Sequence, residues 1–273
     1  MNSRKSQTLT IATLTLLVLM AAGLATGGIS AQVRALFSQD LTMQESTSTT
    51  SSGMPMGGGR GGGDQQSTNT NYFSGSAMLR TSSDGNDSMI RFDQSKMVQI
   101  DHKKKTYSEM TFEQLQQMLD NASAEMNKAM GSNAQAAEMM KQMMGGMGGS
   151  VSVTKEGPGE TIAGYATEKY LVKMPPVEMQ IWATPDLTIP AVYYDVLKMR
   201  MPRNPMFDMS KLYDEFKKIK GMTLKSITTV SMVMGPMNMK STTTTVVTSV
   251  EKGAIPASKF DIPAGYKAQP FKP

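Results

Sequence analysis

The chain has 273 residues, with 28 Lys and Arg against 23 Asp and Glu, one His and no Cys. Without cysteine there can be no disulfide, no thiol nucleophile, no cysteine metal site and no lipid-modified N-terminal cysteine. The net charge of +5 is mild. It is spread along the chain apart from Lys103–Lys105 and Lys217, Lys218 and Lys220, so the dense basic face that nucleic acid requires is missing.

Arg4 and Lys5 precede an apolar run from Ile11 to Leu24. Small residues follow at Ala25-Thr26-Gly27 and Ile29-Ser30-Ala31. This pattern predicts a secretory signal peptide over residues 1–31, because the run is short for a membrane span. Export to the periplasm or cell envelope is expected, with no stable transmembrane segment after cleavage. Residues 32–71 carry a Ser/Thr run (Ser46–Ser52) and a Gly-rich run (Gly57–Gly63). Such composition buries too little apolar area to offset ordering entropy, so a disordered Gly/Ser/Thr-rich linker is expected there. One domain is then expected over residues 72–270.

Within that domain, Tyr72–Arg80 reads as a strand and Ser82–Asn86 as turn chemistry. Met89–Asp93 and Lys96–Asp101 read as a hairpin, continued by Lys105–Met110. Thr111-Phe-Glu-Gln114 matches a capping box. After it, Leu115, Met118, Leu119, Ala122 and Met126 recur at helical spacing, predicting an amphipathic helix with one apolar stripe. A second helical segment, Ala134–Met144, stops at a Gly-rich run. Ser150–Glu156 is a strand. Ala166–Met174 and Val177–Ala183 form a hairpin across Pro175-Pro176, which cannot donate ladder hydrogen bonds. A short helix is expected over Asp208–Lys218. Met222–Met234 and Met239–Val250 read as two long strands, the second stiffened by Thr242–Thr245. The whole is an α+β pattern: a strongly curved antiparallel sheet with a helical lid.

Three blocks carry a family resemblance: Ile100-Asp101-His102 through Thr106-Tyr107 to Thr111, Gly164-Tyr165 through Glu168-Lys169-Tyr170 to Trp182 and Pro185-Asp186-Leu187, and Phe260-Asp-Ile-Pro-Ala-Gly-Tyr266. Together they resemble a bacterial family of exported proteins of unknown function, related to the lipoprotein carrier and receptor (LolA/LolB-like) proteins. The resemblance implies an unclosed β-barrel with a helical lid and an apolar interior. It brings no catalytic residues.

The residues themselves argue against catalysis. The only histidine, His102, sits in a charged run that reads as an exposed turn. There is no Gly-x-Ser-x-Gly elbow and no ligand set for zinc. No enzyme activity and no cofactor are expected.

Methionine is the anomaly, at 28 residues. Met139, Met140, Met143, Met144 and Met147 share a helical face, and Met232, Met234, Met237 and Met239 flank a turn. Thioethers suit Cu(I) or Ag(I). They equally suit a core or an adaptable apolar surface.

The expected function is a non-enzymatic exported binding protein for a lipid, acyl chain or other apolar ligand. Leu115, Met118, Leu119, Tyr170, Val172, Ile181, Met222, Leu224, Val230 and Met232 are its candidate lining, and an envelope protein is a further candidate partner. One alternative is a periplasmic soft-metal protein using the Met139–Met147 cluster. Another is a structural or envelope assembly protein with a self-filled core.

Overall fold

In a computed structural model of the chain, residues 37–52, 65–132, 151–188, 214–234 and 237–271 are described. The strands are β1 (Phe37–Ser52), β2 (Gln65–Gly75), β3 (Ala77–Ser82), β4 (Asn86–Arg91), β5 (Lys96–Asp101) and β6 (Thr106–Thr111). Helix α1 (Phe112–Ser132) follows, then β7 (Ser152–Pro158), β8 (Glu168–Met174), β9 (Val177–Thr184), β10 (Met222–Met234), β11 (Met237–Lys252) and the short β12 (Lys267–Ala268). They form one 12-stranded sheet in the order β12-β6-β5-β4-β3-β2-β1-β11-β10-β9-β8-β7. The sheet is curled but unclosed, with β12 and β7 at its two edges. Every pairing is antiparallel except β12 with β6.

The topology is two meanders stitched by one strand. β2 to β6 run up and down as neighbours, and so do β7 to β11. β1 lies between the two sets, paired with β2 on one side and β11 on the other. This corrects the expectation of a linker. Residues 37–52 and 65–71 are ladder-bonded strand. The physical reason is a distant partner of matching chemistry. The Ser/Thr run of β1 lies opposite the threonine run of β11, with hydroxyl pairs Thr47–Thr245 at 3.1 Å, Thr49–Thr243 at 3.0 Å and Ser51–Ser241 at 3.2 Å. Below that run, Phe37, Leu41 and Met43 are buried.

Local signals place the other elements. The expected first strand, Tyr72–Arg80, is instead two: β2 and β3 are separated by Ser76, with Gly75 at φ 55°. The capping box forms in both directions. Gln114 N–H donates to Thr111 Oγ1 at 3.1 Å, and Thr111 N–H donates to Gln114 Oε1 at 2.9 Å. Phe112, at the start of α1, is buried. The expected balance of strand and helix shifts toward strand: the described protein is mostly sheet. The second helical segment, Ala134–Met144, lies outside the described residues, as do residues 208–213 of the expected short helix.

Beyond β11 the chain turns back across the sheet. Phe260, Ile255, Ile262 and Tyr266 pack with Leu79, Met89, Val98 and Ile100 on β3 to β5. Lys267 N–H and Gln269 N–H donate to the carbonyls of Lys105 and Tyr107. The C-terminal segment therefore covers one face of β2–β6 and leaves the other to be accounted for.

Candidate functional site

The sequence-derived lining residues do not share one face. Tyr170, Val172 and Ile181 lie together in a closed apolar cluster with Val153, Met179, Ala183 and Ile219. Met222 and Leu224 belong to a different cluster, with Leu41, Met43, Trp182 and Val247. Ile181 and Trp182 are adjacent on β9, so they point to opposite faces. A bulge between Thr223 and Lys225 produces the split. Met222 sits opposite Thr184 and Val230 opposite Val177. Met222 and Val230 are an even number of residues apart on β10, whereas Thr184 and Val177 are an odd number apart on β9. Directly opposed residues share a face, so the inserted residue moves Met222 and Val230 to opposite sides. Val230 is half-buried.

Leu115 and Met118 are half-buried on α1. The side chains of Leu119 and Met232 lie outside the described residues, as do Met139, Met140, Met143, Met144 and Met147. Among the described residues no group of three or more His, Asp or Glu could hold a metal ion.

A different constellation emerges from the register of β1–β6. Met110, Met97, Ile90, Met78, Phe73 and Leu41 are successive cross-strand partners. They form one apolar row across six strands, roughly 24 Å long from five interstrand spacings of about 4.8 Å. Phe37 extends its end, with its ring centroid 5.4 Å from that of Phe73. Phe73 also packs against the Trp182 cluster, so the row is continuous with that core.

One pleat along, the parallel row is polar: Ser108, Gln99, Ser88, Arg80, Asn71, then Met43. Gln99 Nε2 donates to Ser88 Oγ at 2.6 Å. Asn69 lies opposite Glu45 and Ser82 in the row beyond. A shallow surface depression, enclosing no cavity, lies on β2–β4 with Arg80, Asn71, Ser88, Phe73, Met78 and Ile90 around it. Polar and apolar rows meet there.

At the centre of the polar part is a buried ion pair. Arg80 Nη1 lies 2.6 Å from Glu45 Oε1, with the side chains 13% and 10% exposed. At that distance the guanidinium and the carboxylate form a charge-assisted contact buried on both sides. Burial pushes the Arg80 guanidinium below its ordinary value, while the neighbouring Glu45 carboxylate acts in the opposite direction. Asn69 and Asn71 are buried beside the pair. Among the described residues no hydrogen bond engages either side-chain amide. Taking an ion pair out of water carries a penalty of several kcal/mol per ion, offset only where the geometry satisfies the remaining donors and acceptors.

His102 is also more engaged than the sequence suggested. It is half-buried: Nε2 lies 2.8 Å from Asp87 Oδ2, and Nδ1 lies 2.7 Å from Tyr266 Oη. It ties the C-terminal segment to the turn between β5 and β6. The chain Asp87–His102–Tyr266 lies with the covered face and is a clasp rather than part of the depression.

Comparison with known proteins gives a match to a family model over part of the chain. Residues 133–266 match the model of a domain of unknown function, DUF4412. The match takes in β7–β11 and the C-terminal segment, while the depression on β2–β4 lies before it. No curated protein matches the sequence. Similar solved structures include PNGF-II, at 10% identity and a TM-score of 0.34 over 84% of this chain and 31% of that one. MucB in complex with MucA(peri) is another, at 13% identity and 0.28 over 82% of this chain and 54% of that one. The chain thus spans less than two thirds of either protein. Among the described residues no helix is long and apolar enough to cross a membrane.

Proposed function

We propose that the protein is a non-enzymatic, exported binding protein for a lipid, acyl chain or other apolar ligand, held on the face of β1–β6 opposite the C-terminal segment. The observation that supports this is the six-residue apolar row, whose middle residues Phe73, Met78 and Ile90 border the depression beside Arg80. A row of this length fits an extended chain, with affinity from roughly 25 cal/mol per Å² of apolar area removed from water. α1 starts two residues after Met110, at one end of the row. In this reading it is the lid, with Leu115 and Met118 on its half-buried stripe.

The test uses a neutral environment-sensitive apolar dye and the full chain. Met78 is on the row and Met89 is on the covered face, 8% and 3% exposed respectively. Met78→Gln should weaken dye binding at least tenfold, while Met89→Gln leaves it within about twofold. Equal effects of both substitutions, or no binding by the folded wild type, would refute the proposal.

A further inference from the structure

The β10–β11 hairpin ends in a methionine array. Its last opposed pairs are Met232 with Met239, Val233 with Asn238 and Met234 with Met237. Two residues, Gly235 and Pro236, join the strands. Residues two apart on a strand share a face, and so do directly opposed residues. Met232, Met234, Met237 and Met239 therefore occupy one face of the hairpin end, and Val233 and Asn238 the other. Methionine makes up 28 of 273 residues, about one in ten. At that frequency, methionine at all four positions of one face and at neither position of the other reflects placement rather than composition.

The base of the array is held on both sides. β1 follows β11 as far as Ser52 opposite Lys240, the residue beside Met239. On the other side the Ser231 N–H, next to Met232, donates to the Pro176 carbonyl at 3.1 Å. Ser241, the next residue of β11 on the methionine face, shares a hydroxyl hydrogen bond with Ser51 at 3.2 Å. The methionine positions begin where this bracing ends, on a backbone whose register is already fixed.

The donor chemistry around them is uniformly soft. β10 has no Asp, Glu or His, and β11 has only Glu251 near its far end. The chain has no Cys, and its one His lies on the turn between β5 and β6. Calcium and magnesium take oxygen ligands, and zinc takes thiolate, imidazole or carboxylate. Neutral thioethers suit Cu(I) and Ag(I). Opposed Cβ atoms lie about 5 Å apart and successive same-face positions about 7 Å apart, so each corner of the array is about 4 Å from its centre. A methionine sulfur is two bonds beyond Cβ, so three or four thioethers hung from these positions can reach one ion. We propose that the end of the β10–β11 hairpin binds one soft monovalent cation, Cu(I) or Ag(I), through Met232, Met234, Met237 and Met239. This assignment does not rest on the apolar row of β1–β6.

The experiment titrates the full chain with Cu(I) under anaerobic reducing conditions against a chromophoric Cu(I) chelator, and with Ag(I) in air. The wild type should bind a first equivalent of either ion. Its affinity should be unchanged between about pH 5 and 8, because a thioether has no proton to lose, unlike a thiolate or imidazole ligand. Leucine is close to methionine in volume, so Met→Leu is a mild change to the fold. Leucine at Met232, Met234, Met237 and Met239 together should weaken the first equivalent at least about tenfold. Leucine at Met139, Met140, Met143, Met144 and Met147 together should leave it within about twofold.

Absence of uptake by the wild type would overturn the proposal. So would an unchanged first equivalent in the hairpin variant, a matching loss in the Met139–Met147 variant, or an affinity that falls as pH falls. Should the fourfold variant not fold, Met232→Leu with Met239→Leu decides in its place. It leaves two thioethers at the array and should lose the same tenfold; full retention by that pair variant would overturn the site.

Discussion

Deleting residues 1–71 should unfold this protein, although their composition suggests a dispensable linker. The deletion removes all of β1 and the first seven residues of β2. β1 is the strand that joins the β2–β6 meander to the β7–β11 meander. Three large apolar side chains go with it: Phe37 and Leu41 at 5% exposure and Met43 at 3%. At about 1.5–3 kcal/mol each, their burial amounts to roughly 5–9 kcal/mol. The deletion also strips Glu45 from Arg80, and breaking one side of a buried pair costs about 3–5 kcal/mol. Together, at roughly 8–14 kcal/mol, these are comparable to the about 5–15 kcal/mol that separates a typical native domain from its unfolded state. The point variant Met43→Ala should show the same dependence in miniature, losing about 2–5 kcal/mol. Urea unfolding followed by circular dichroism checks both. A remnant of β7–β11 folding alone would appear as a transition of markedly smaller slope. A truncated chain with the intact protein's slope and melting temperature would show that β1 is not part of the cooperative sheet, and the argument would fail.

Three further outcomes follow from individual side chains. Gly221 has φ +81° and a Cβ there would lie 1.8 Å from the Thr184 carbonyl oxygen; Gly221→Ala should therefore cost about 2 kcal/mol or more in urea unfolding. His102→Ala and Tyr266→Phe should each destabilise by about 1 kcal/mol, and a double-mutant cycle should return a coupling of about 0.5–1.5 kcal/mol through their 2.7 Å bond; additive effects would mean that the bond does not hold the C-terminal segment. Burial, and then the hydrogen bond donated to Glu168, raises the Tyr170 hydroxyl above its ordinary value of 10.0. Since the folded state holds that proton more tightly, its contribution is fully present below about pH 10 and is lost as pH rises through the raised value. Tyr170→Phe should flatten that alkaline fall in melting temperature, and an unchanged slope would remove Tyr170 as its source.

How much of this could be read from the residues depends on how far each signal reaches. The capping box at Thr111 and Gln114 is a contact over three residues, and it forms as its spacing requires. The β3–β4–β5 hairpins turn on Ser82–Asn86 and Phe92–Ser95, where the turn chemistry is local. β9, β10 and β11 announce themselves by β-branched and apolar residues. β1 has no such announcement. Its Ser/Thr half becomes a strand because threonines about 190 residues away offer matching hydroxyls. Its apolar half, Leu41-x-Met43-x-Glu45, does alternate with period two, and that was the available signal.

Misreading β1 also hid the polar cluster. Arg80 alone reads as the polar end of a strand, and Asn69 and Asn71 read as linker. Only the β1–β2–β3 register places Glu45, Asn69, Asn71 and Arg80 side by side. The candidate lining failed as a single set for a related reason. Period-two reading assumes an unbroken pleat, and the extra residue beside Thr223 and Lys225 breaks it without leaving a Gly or Pro to mark the place. Propensity therefore located most strands, while the face each side chain occupies was decided by pairings and a bulge that lie beyond any local window. The face a side chain occupies on a sheet is a property of pairings. The polar cluster here is assembled from three strands, β1, β2 and β3, and the first of them lacks the local signal of a strand across its Ser/Thr half.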